Sequence, residues 1–238
     1  MMGYESQMAE EARLWKHKLL RRPSLFERTS KKAQSKMNTF IPEKVHLTIT
    51  ESIKKMVEAT LVGSNMTTFP KKIENLTFEE REKLVVKSIG TFKKTAAIEG
   101  ASTGAGGIFL GLADFPLLLG IKMKFLFEVA SIYGFSTKEY EERLFLLYVF
   151  QLAFSSDTHK EQVLETVEKW EVKKHEIKDL DWRVFQQEYR DYIDLVKLMQ
   201  VLPGIGAVVG GVANYQLLNQ LGECAMNCYR LRLFSKQQ

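Results

Sequence analysis

Apolar residues recur at helical spacing along most of the chain. The pattern is clearest over residues 6–62 and 136–200, where it predicts amphipathic helices. Three sequences of the type Ser/Thr-x-x-Glu, beginning at Thr77, Ser136 and Thr158, precede apolar-periodic runs and predict capped helix starts. No pair of alternating segments predicts a β-hairpin. We therefore expect an all-α protein.

Eleven of the fifteen glycines lie in two apolar segments, residues 100–120 and 204–222. The segments match at an offset of one hundred residues, for example at Gly106 and Gly206, at Gly111 and Gly211, and at Asp114 and Asn214. Each copy has the pattern of a small-residue helix, a polar hinge and an apolar helix. Because glycine costs roughly 0.5 to 1 kcal/mol relative to alanine inside a helix, these positions predict close approach of another backbone. We expect two related glycine-rich helical hairpins packed about a pseudo-two-fold axis.

The clearest linker in the chain is the stretch GSNMTTFPKKIEN at residues 63–75. We expect a single multi-helix domain with two parts on either side of it. Basic amphipathic helices occupy residues 1–62, and a helical core at residues 76–238 contains the two repeats, at about residues 98–134 and 198–233. With 45% hydrophobic residues, the chain has enough apolar side chains for a large core.

The residues in and around the two glycine-rich segments resemble the two signatures of the EcsC family. The first is Gly-Leu-Ala-Asp-Phe-Pro at residues 111–116, followed by Lys122, Phe127, Glu128 and Tyr133-Gly134. The second runs from Pro203 to Gly211 and continues through Asn214, Tyr215, Leu218, Leu221, Gly222 and Glu223. The likeness covers roughly Leu14 to Arg232. It implies a bacterial protein that is often encoded beside an ABC transporter, and it supplies no catalytic residues because the family has no settled activity.

Neither glycine-rich segment predicts a membrane span. Residues 101–113 are followed by the charge of Asp114, and residues 198–222 are interrupted by Asn214 and other amides. The segments form either a buried core hairpin or a hairpin that dips into one leaflet. A charged content of 26% excludes a polytopic membrane protein, and the acidic first residues lack the apolar stretch of a secretory signal. We expect a cytoplasmic protein that is either free or peripheral on the inner face of the membrane.

The positive charge of the chain is concentrated in residues 13–44, which carry ten Lys or Arg against two acids, with aromatic residues between them. Such a stretch suits an anionic bilayer surface or nucleic-acid phosphates, and it also suits a solvated helix face. We expect no nucleic acid as partner because no recognition motif accompanies the charge. The candidate surface for an anionic membrane or a membrane protein, for which the family resemblance suggests an ABC transporter, consists of Trp15, Arg21, Arg22, Lys31 and Lys32.

Four polar residues of the repeats are candidates for a site. Asp114 and Asn214 precede apolar helices and can cap them. Alternatively, Asp114, Glu128, Asn214 and Glu223 form one buried polar cluster where the repeats meet, able to bind a cation or move protons. Cys224 and Cys228 lie one helical turn apart, and we expect ordinary buried thiols rather than metal ligands.

Motifs of familiar enzymes are missing from the sequence. The glycines at residues 100–107 are not followed by Gly-Lys-Ser/Thr, and neither a His-Glu-x-x-His pair nor a Gly-x-Ser-x-Gly turn occurs. We expect no cofactor and no metal. Two hypotheses follow: a non-catalytic helical protein that associates with the inner membrane surface or a membrane protein, as accessory to an ABC transporter or secretion process, or a hydrolase or small-ligand-binding protein with a site between the repeats.

Overall fold

The structure is a computed structural model that describes residues 3–21, 43–62, 73–105, 115–155, 159–177 and 206–234. The helices are α1 (Tyr4–Leu20), α2 (Glu43–Val62), α3 (Phe78–Ala105), α4 (Phe115–Tyr133), α5 (Tyr140–Phe154), α6 (Lys160–Glu168), α7 (Trp170–Lys173) and α8 (Gly206–Phe234). These ranges contain no strand, which confirms the all-α prediction for the described part of the chain. None of the helices in these ranges is both long enough and apolar enough to cross a membrane.

The centre of the bundle is α8, which contacts α1, α3, α4, α5 and α6. Its most extensive contact is with α3, and the two helices run antiparallel. Gly211 lies against Ala97 near one end of the pair, and Arg230 binds Glu82 near the other. Around this antiparallel pair, α4 contacts both helices, α5 contacts α8, and α1 contacts both α8 and α3.

Apolar residues occupy all faces of α5, and this explains its position inside the bundle. Eleven of its fifteen residues are buried, including the polar Glu142 and Gln151. The helix is covered by α2 on one side and by α6 on another, while α8 lies along a third. The N-terminal helices are therefore packed onto the same core as the glycine-rich helices.

Two glycines of α8 permit close helix packing. A Cβ atom at Gly211 would lie 3.2 Å from the carbonyl oxygen of Ala97, and one at Gly222 would lie 2.8 Å from Cγ1 of Ile89. At Gly211 the predicted close approach of another backbone is confirmed, whereas at Gly222 the neighbouring atoms belong to the side chain of Ile89. At Gly120 of the first segment the prediction is wrong, because a Cβ atom there would meet no atom within 4 Å. The first glycine-rich segment contributes Ala101 to the contact at Gly211, but its residues 106–114 lie outside the described ranges.

The hinge predicted at Asn214 is wrong. The α8 helix continues without a break from Gly206 to Phe234, and Asn214 is buried in its interior, where it caps no helix. Nothing in this stretch stops a helix, since it contains no proline and the tight contact with α3 stabilises its glycines. The pseudo-two-fold axis stays a prediction, because the matching hinge at Asp114 lies outside the described residues.

Of the three predicted capping boxes, only that of Thr77 is confirmed. The Glu80 amide donates to the Thr77 hydroxyl at 3.3 Å, while the Glu80 carboxylate accepts from the Thr77 amide at 2.8 Å. The box at Ser136 is wrong, because α5 begins at Tyr140 with Glu139 at its N-cap. Thr158 lies outside the described residues.

Candidate functional site

The C-terminal end of α8 places two arginines inside the bundle. Arg230 turns toward α3, where its Nε donates to Oε1 of Glu82 at 2.9 Å and a second nitrogen donates to Oε2. The hydroxyl of Tyr133 donates to the same carboxylate at 2.7 Å. Glu82 is 2% exposed, so its charge is held by these two partners and by the hydroxyl of Tyr4, which donates to Oε2 at 3.3 Å. We call Arg230, Glu82 and Tyr133 the first triad.

A second triad of the same composition lies on the other side of α8. Arg232 donates to Oε2 of Glu142 at 2.6 Å, and the Tyr229 hydroxyl donates to Oε1 at 2.6 Å. The rings of Tyr229 and Tyr133 stack with centroids 5.0 Å apart, so the two triads are in direct contact. Burial raises the pKa of Glu142, and the opposing effects of Arg232 and Tyr229 do not fully offset it.

Each arginine also binds a more exposed glutamate from an outer helix. Arg230 donates to Glu11 of α1 at 3.3 Å, and the Nε of Arg232 donates to Glu171 of α7 at 2.7 Å. Partial burial alone would raise the pKa of Glu171, but the hydrogen bonds and charges of Lys174 and Arg232 lower it to about 2. The triads thus tie α1 and α7 to the central helices. Every charge in them has an internal partner, which is the arrangement of a structural network.

An open cleft of about 480 Å³ adjoins the first triad. It lies between α1, α3 and α8, and it is lined by Glu11, Leu14, Trp15, Ile89, Asn219, Glu223, Met226, Asn227 and Arg230. Two of the amides are held in place: Asn227 donates to the carbonyl oxygen of Glu223 at 2.8 Å, and Asn219 accepts from Lys93 at 2.8 Å. The cleft therefore combines an aromatic and apolar lining with carboxylates and fixed amides, which is the composition of a binding site.

Comparison with known proteins identifies a family whose model matches the chain. The model of the EcsC protein family matches residues 6–234. The chain belongs to the EcsC family. It is similar to Protein EcsC of Bacillus subtilis (strain 168), with 56% identity over 229 residues that cover 96% of each chain. It is also similar to Uncharacterized protein YdbA of the same strain, with 31% identity over 179 residues, 69% of this chain and 66% of that protein. No solved structure matches.

The structure distributes the candidate site residues of this EcsC family member over several places. Glu223 is exposed in the cleft, Asn214 is buried, and Glu128 is half-buried on α4. Asn214 and Glu223 are nine residues apart on one helix, a rise of about 13.5 Å. Asp114 lies outside the described residues. The four-residue polar cluster stays a prediction.

Of the candidate membrane or partner surface, two residues are described. Trp15 is half-buried, packs against the core and lines the cleft, and Arg21 is exposed just after the end of α1. Arg22, Lys31 and Lys32 lie outside the described residues. Trp15 and Glu223 were assigned to separate sites from the sequence, and the packing of α1 on α8 brings them into one cleft.

Lys122 is a residue of the family signature whose position the sequence does not reveal. It is 2% exposed in α4, and burial lowers its pKa to about 8. Among the described residues, no acceptor lies within hydrogen-bond distance of its ammonium group. Its neighbours one turn away, Leu118 and Leu126, are also buried. A lysine with a leucine one helical turn before it and another one turn after it is the sequence pattern that could have indicated its burial.

Cys224 and Cys228 are buried free thiols with sulfur atoms 3.8 Å apart, as predicted. Burial and the neighbouring Cys224 raise the pKa of Cys228 well above its usual value, so its thiol stays protonated and unreactive. Within the described ranges, no group of three or more His, Cys, Asp or Glu is arranged to hold a metal ion.

Proposed function

We propose that this protein is a non-catalytic helical accessory protein that associates with the inner face of the cell membrane or with a membrane protein, in particular an ABC transporter. One observation carries the proposal: ten of the cations lie in residues 13–44, interleaved with aromatic side chains. A cation near an anionic bilayer contributes about 1 kcal/mol.

The described part of this basic stretch supports the proposal. Lys16 pairs with Glu168 of α6 at 2.6 Å and thus serves to hold α1 on the core. Lys18 and Arg21 are exposed, and neither pairs with an acid of the described residues. The stretch therefore has cations beyond those that the fold uses. The buried arginines of the triads, by contrast, are occupied by their glutamates and have no charge to offer a lipid.

The proposal is tested by co-sedimentation with vesicles of anionic and of zwitterionic lipid at low and high salt. Wild type is compared with a variant carrying Arg21→Glu, Arg22→Glu, Lys31→Glu and Lys32→Glu. We expect binding to anionic vesicles that falls as salt rises, and at least about tenfold weaker binding of the variant.

A matched control carries Lys87→Glu, Lys94→Glu, Lys124→Glu and Lys138→Glu, four exposed lysines outside the basic stretch. This control changes the net charge by the same amount. If it loses vesicle binding as completely as the first variant, the net charge of the protein matters rather than the basic stretch. If wild type binds no vesicle at any salt concentration, the membrane-surface part of the proposal fails.

A further inference from the structure

The cleft differs in charge from the rest of the protein. The chain carries a net charge of +5, yet the cleft exposes the carboxylates of Glu11 and Glu223. Arg230, which lines the cleft, binds both Glu11 and the buried Glu82, and Lys93 adjoins the cleft through Asn219. Three carboxylates, those of Glu11, Glu82 and Glu223, thus face two cations. No described lysine or arginine forms an ion pair with Glu223. The cleft is therefore a local acidic surface on a basic protein.

Two helical stripes form the walls of this cleft. Glu11, Leu14 and Trp15 of α1 are spaced i, i+3, i+4 and so share one face. On α8, Glu223 and Asn227 are one turn apart on the facing stripe. Leu14 is 60% exposed at the rim, so the cleft offers uncovered apolar surface directly beside its carboxylates.

We propose that this cleft binds lysine or arginine side chains of a cytoplasmic segment of a membrane protein, in which the cations are flanked by apolar residues. A carboxylate binds such a cation directly, the indole of Trp15 attracts it, and Leu14 packs on the apolar flank. Cytoplasmic segments next to membrane spans are rich in Lys and Arg and adjoin apolar sequence, so they match this lining. Anionic lipid head groups do not match it, because the cleft carboxylates repel them.

This inference rests on the proposed function and refines it by separating two surfaces. The basic stretch faces anionic lipid, and the acidic cleft faces the basic segment of the membrane protein. The two surfaces have opposite charge, so one partner cannot satisfy both. A test of the cleft in the absence of lipid is therefore independent of the vesicle experiment, and either can fail while the other succeeds.

The test uses calorimetric titration of the full chain, without lipid, with a capped 14-residue peptide of leucine and lysine whose leucines lie on one helical face. The same peptide with glutamate in place of lysine, and n-hexylammonium, serve as comparison ligands. We expect the lysine peptide to bind, and we expect the affinity to fall as salt rises. Binding of this cationic peptide to a protein of net charge +5 would itself indicate a local acidic site.

The decisive variant is Glu223→Gln, which removes one charge from an exposed side chain and leaves the core intact. We expect the lysine peptide to bind this variant about threefold to fivefold more weakly. Trp15→Leu keeps an apolar side chain and should weaken binding by about twofold to fivefold. Glu161→Gln, at an exposed glutamate of α6 away from the cleft, should leave the affinity unchanged.

Several results would overturn the proposal. One is equal affinity of the lysine peptide for wild type and Glu223→Gln, and another is equal binding of the glutamate peptide. Absence of measurable binding by the lysine peptide would also refute it. If n-hexylammonium binds as tightly as the peptide, the cleft is a small-ligand site and not a surface for a chain segment.

Discussion

The two ends of α8 pack against the neighbouring helices in opposite ways. In the N-terminal half of α8, Gly211 lies against the backbone of Ala97 on α3, and just past the middle Gly222 lies against the side chain of Ile89 on the same helix. We call this part of α8 the glycine end. Toward its C-terminus, Arg230 and Arg232 place charges in the interior, and each charge binds a buried glutamate. A close contact at glycine requires no particular chemical group on the neighbouring helix, whereas a buried charge requires a group of opposite charge at a defined position. The charged end therefore depends on particular pairs of residues, and the glycine end depends on shape.

Lys122 sharpens this contrast between the ends. It lies on α4, eleven residues before Tyr133 of the first triad, which corresponds to about 16 Å along the helix. Like the two arginines it is a buried cation, but the described residues offer its ammonium no acceptor. A buried pair roughly balances its desolvation against its attraction, whereas a buried charge without a partner keeps the desolvation cost. Replacing a paired arginine by methionine should therefore lower the unfolding free energy, whereas replacing Lys122 by methionine should raise it.

The largest effect is expected for Arg232→Met at the charged end. The substitution leaves Glu142, which is 4% exposed, without its cation and removes a ligand of Glu171. Breaking a buried pair in this way costs about 3 to 5 kcal/mol of unfolding free energy. Denaturation by urea at neutral pH measures the loss. Arg13→Met, at an arginine whose side chain is half exposed, should change stability by no more than about 0.5 kcal/mol.

A double variant separates the cause of this loss. Adding Glu142→Leu to Arg232→Met removes the uncompensated carboxylate, and we expect at least half of the lost stability to return. If the double variant is as unstable as the sum of the single variants, the packing of Arg232 matters rather than its charge. The double variant tests this packing contribution because the Arg232 guanidinium lies 4.0 Å from the ring centroid of Phe135, a contact that does not involve Glu142.

The glycine end could be predicted from the sequence to a larger extent than the charged end. Glycine within an apolar helix favours close packing whatever its partner, and this holds at Gly211 and Gly222 but not at Gly120 of α4. The apolar helix after Asp114 was also predicted, and α4 runs from Phe115 to Tyr133. The pairing of Arg230 with Glu82 spans 148 residues, and no local pattern encodes which acid meets which base. The continuous α8 was missed because Asn214 is tolerated inside a helix that is stabilised by tertiary contacts.

The cleft illustrates the same limit for the candidate site. Trp15 and Glu223 were both singled out from the sequence, but for different reasons and different sites. They become neighbours because α1 docks on α6 and α8, through the buried Met8 and Ala12 and through the ion pairs of Lys16 with Glu168 and of Glu11 with Arg230. Such docking depends on several distant residues at once. The sequence therefore indicated residues that belong to the cleft, but it did not indicate that they lie next to each other.

The second prediction concerns Lys122→Met, which we expect to stabilise the protein at pH 7. Burial lowers the pKa of Lys122 from 10.5 to about 8. Below pH 8 the lysine is charged in both states, so the folded state bears the full desolvation cost, about 3 kcal/mol at most. Between pH 8 and 10.5 the unfolded state holds the proton that the folded state has lost, so the wild type gains stability as pH rises. The advantage of Lys122→Met should therefore shrink toward pH 10.

Urea denaturation at pH 7 and pH 9.5 measures this dependence. Lys124→Met, at an exposed lysine of the same helix, serves as control and should show little pH-dependent difference from wild type. A loss of stability in Lys122→Met at pH 7 would contradict the assignment of an unpaired cation. It would mean that the ammonium group has a stabilising partner, and the contrast with the charged end would then disappear.

The smallest of the three effects is expected at the glycine end, for Gly222→Ala. The new Cβ would lie 2.8 and 2.9 Å from Cγ1 and Cδ1 of Ile89, a buried side chain whose branched Cβ restricts its rotation. Overpacking of this kind costs about 1 to 3 kcal/mol, partly offset by the higher helix propensity of alanine. Thermal unfolding of the variant should therefore occur at a lower temperature than that of wild type.

Gly120→Ala provides the matched comparison, because a Cβ at this helical position meets no atom within 4 Å. There alanine should stabilise by roughly 0.5 to 1 kcal/mol, so the two glycine substitutions should have opposite signs. Adding Ile89→Val to Gly222→Ala removes one methyl group at the point of contact and should recover part of the loss. If Gly222→Ala stabilises the protein as Gly120→Ala does, α3 and α8 can separate at little cost, and close contact at Gly222 is not what holds this end of the pair together.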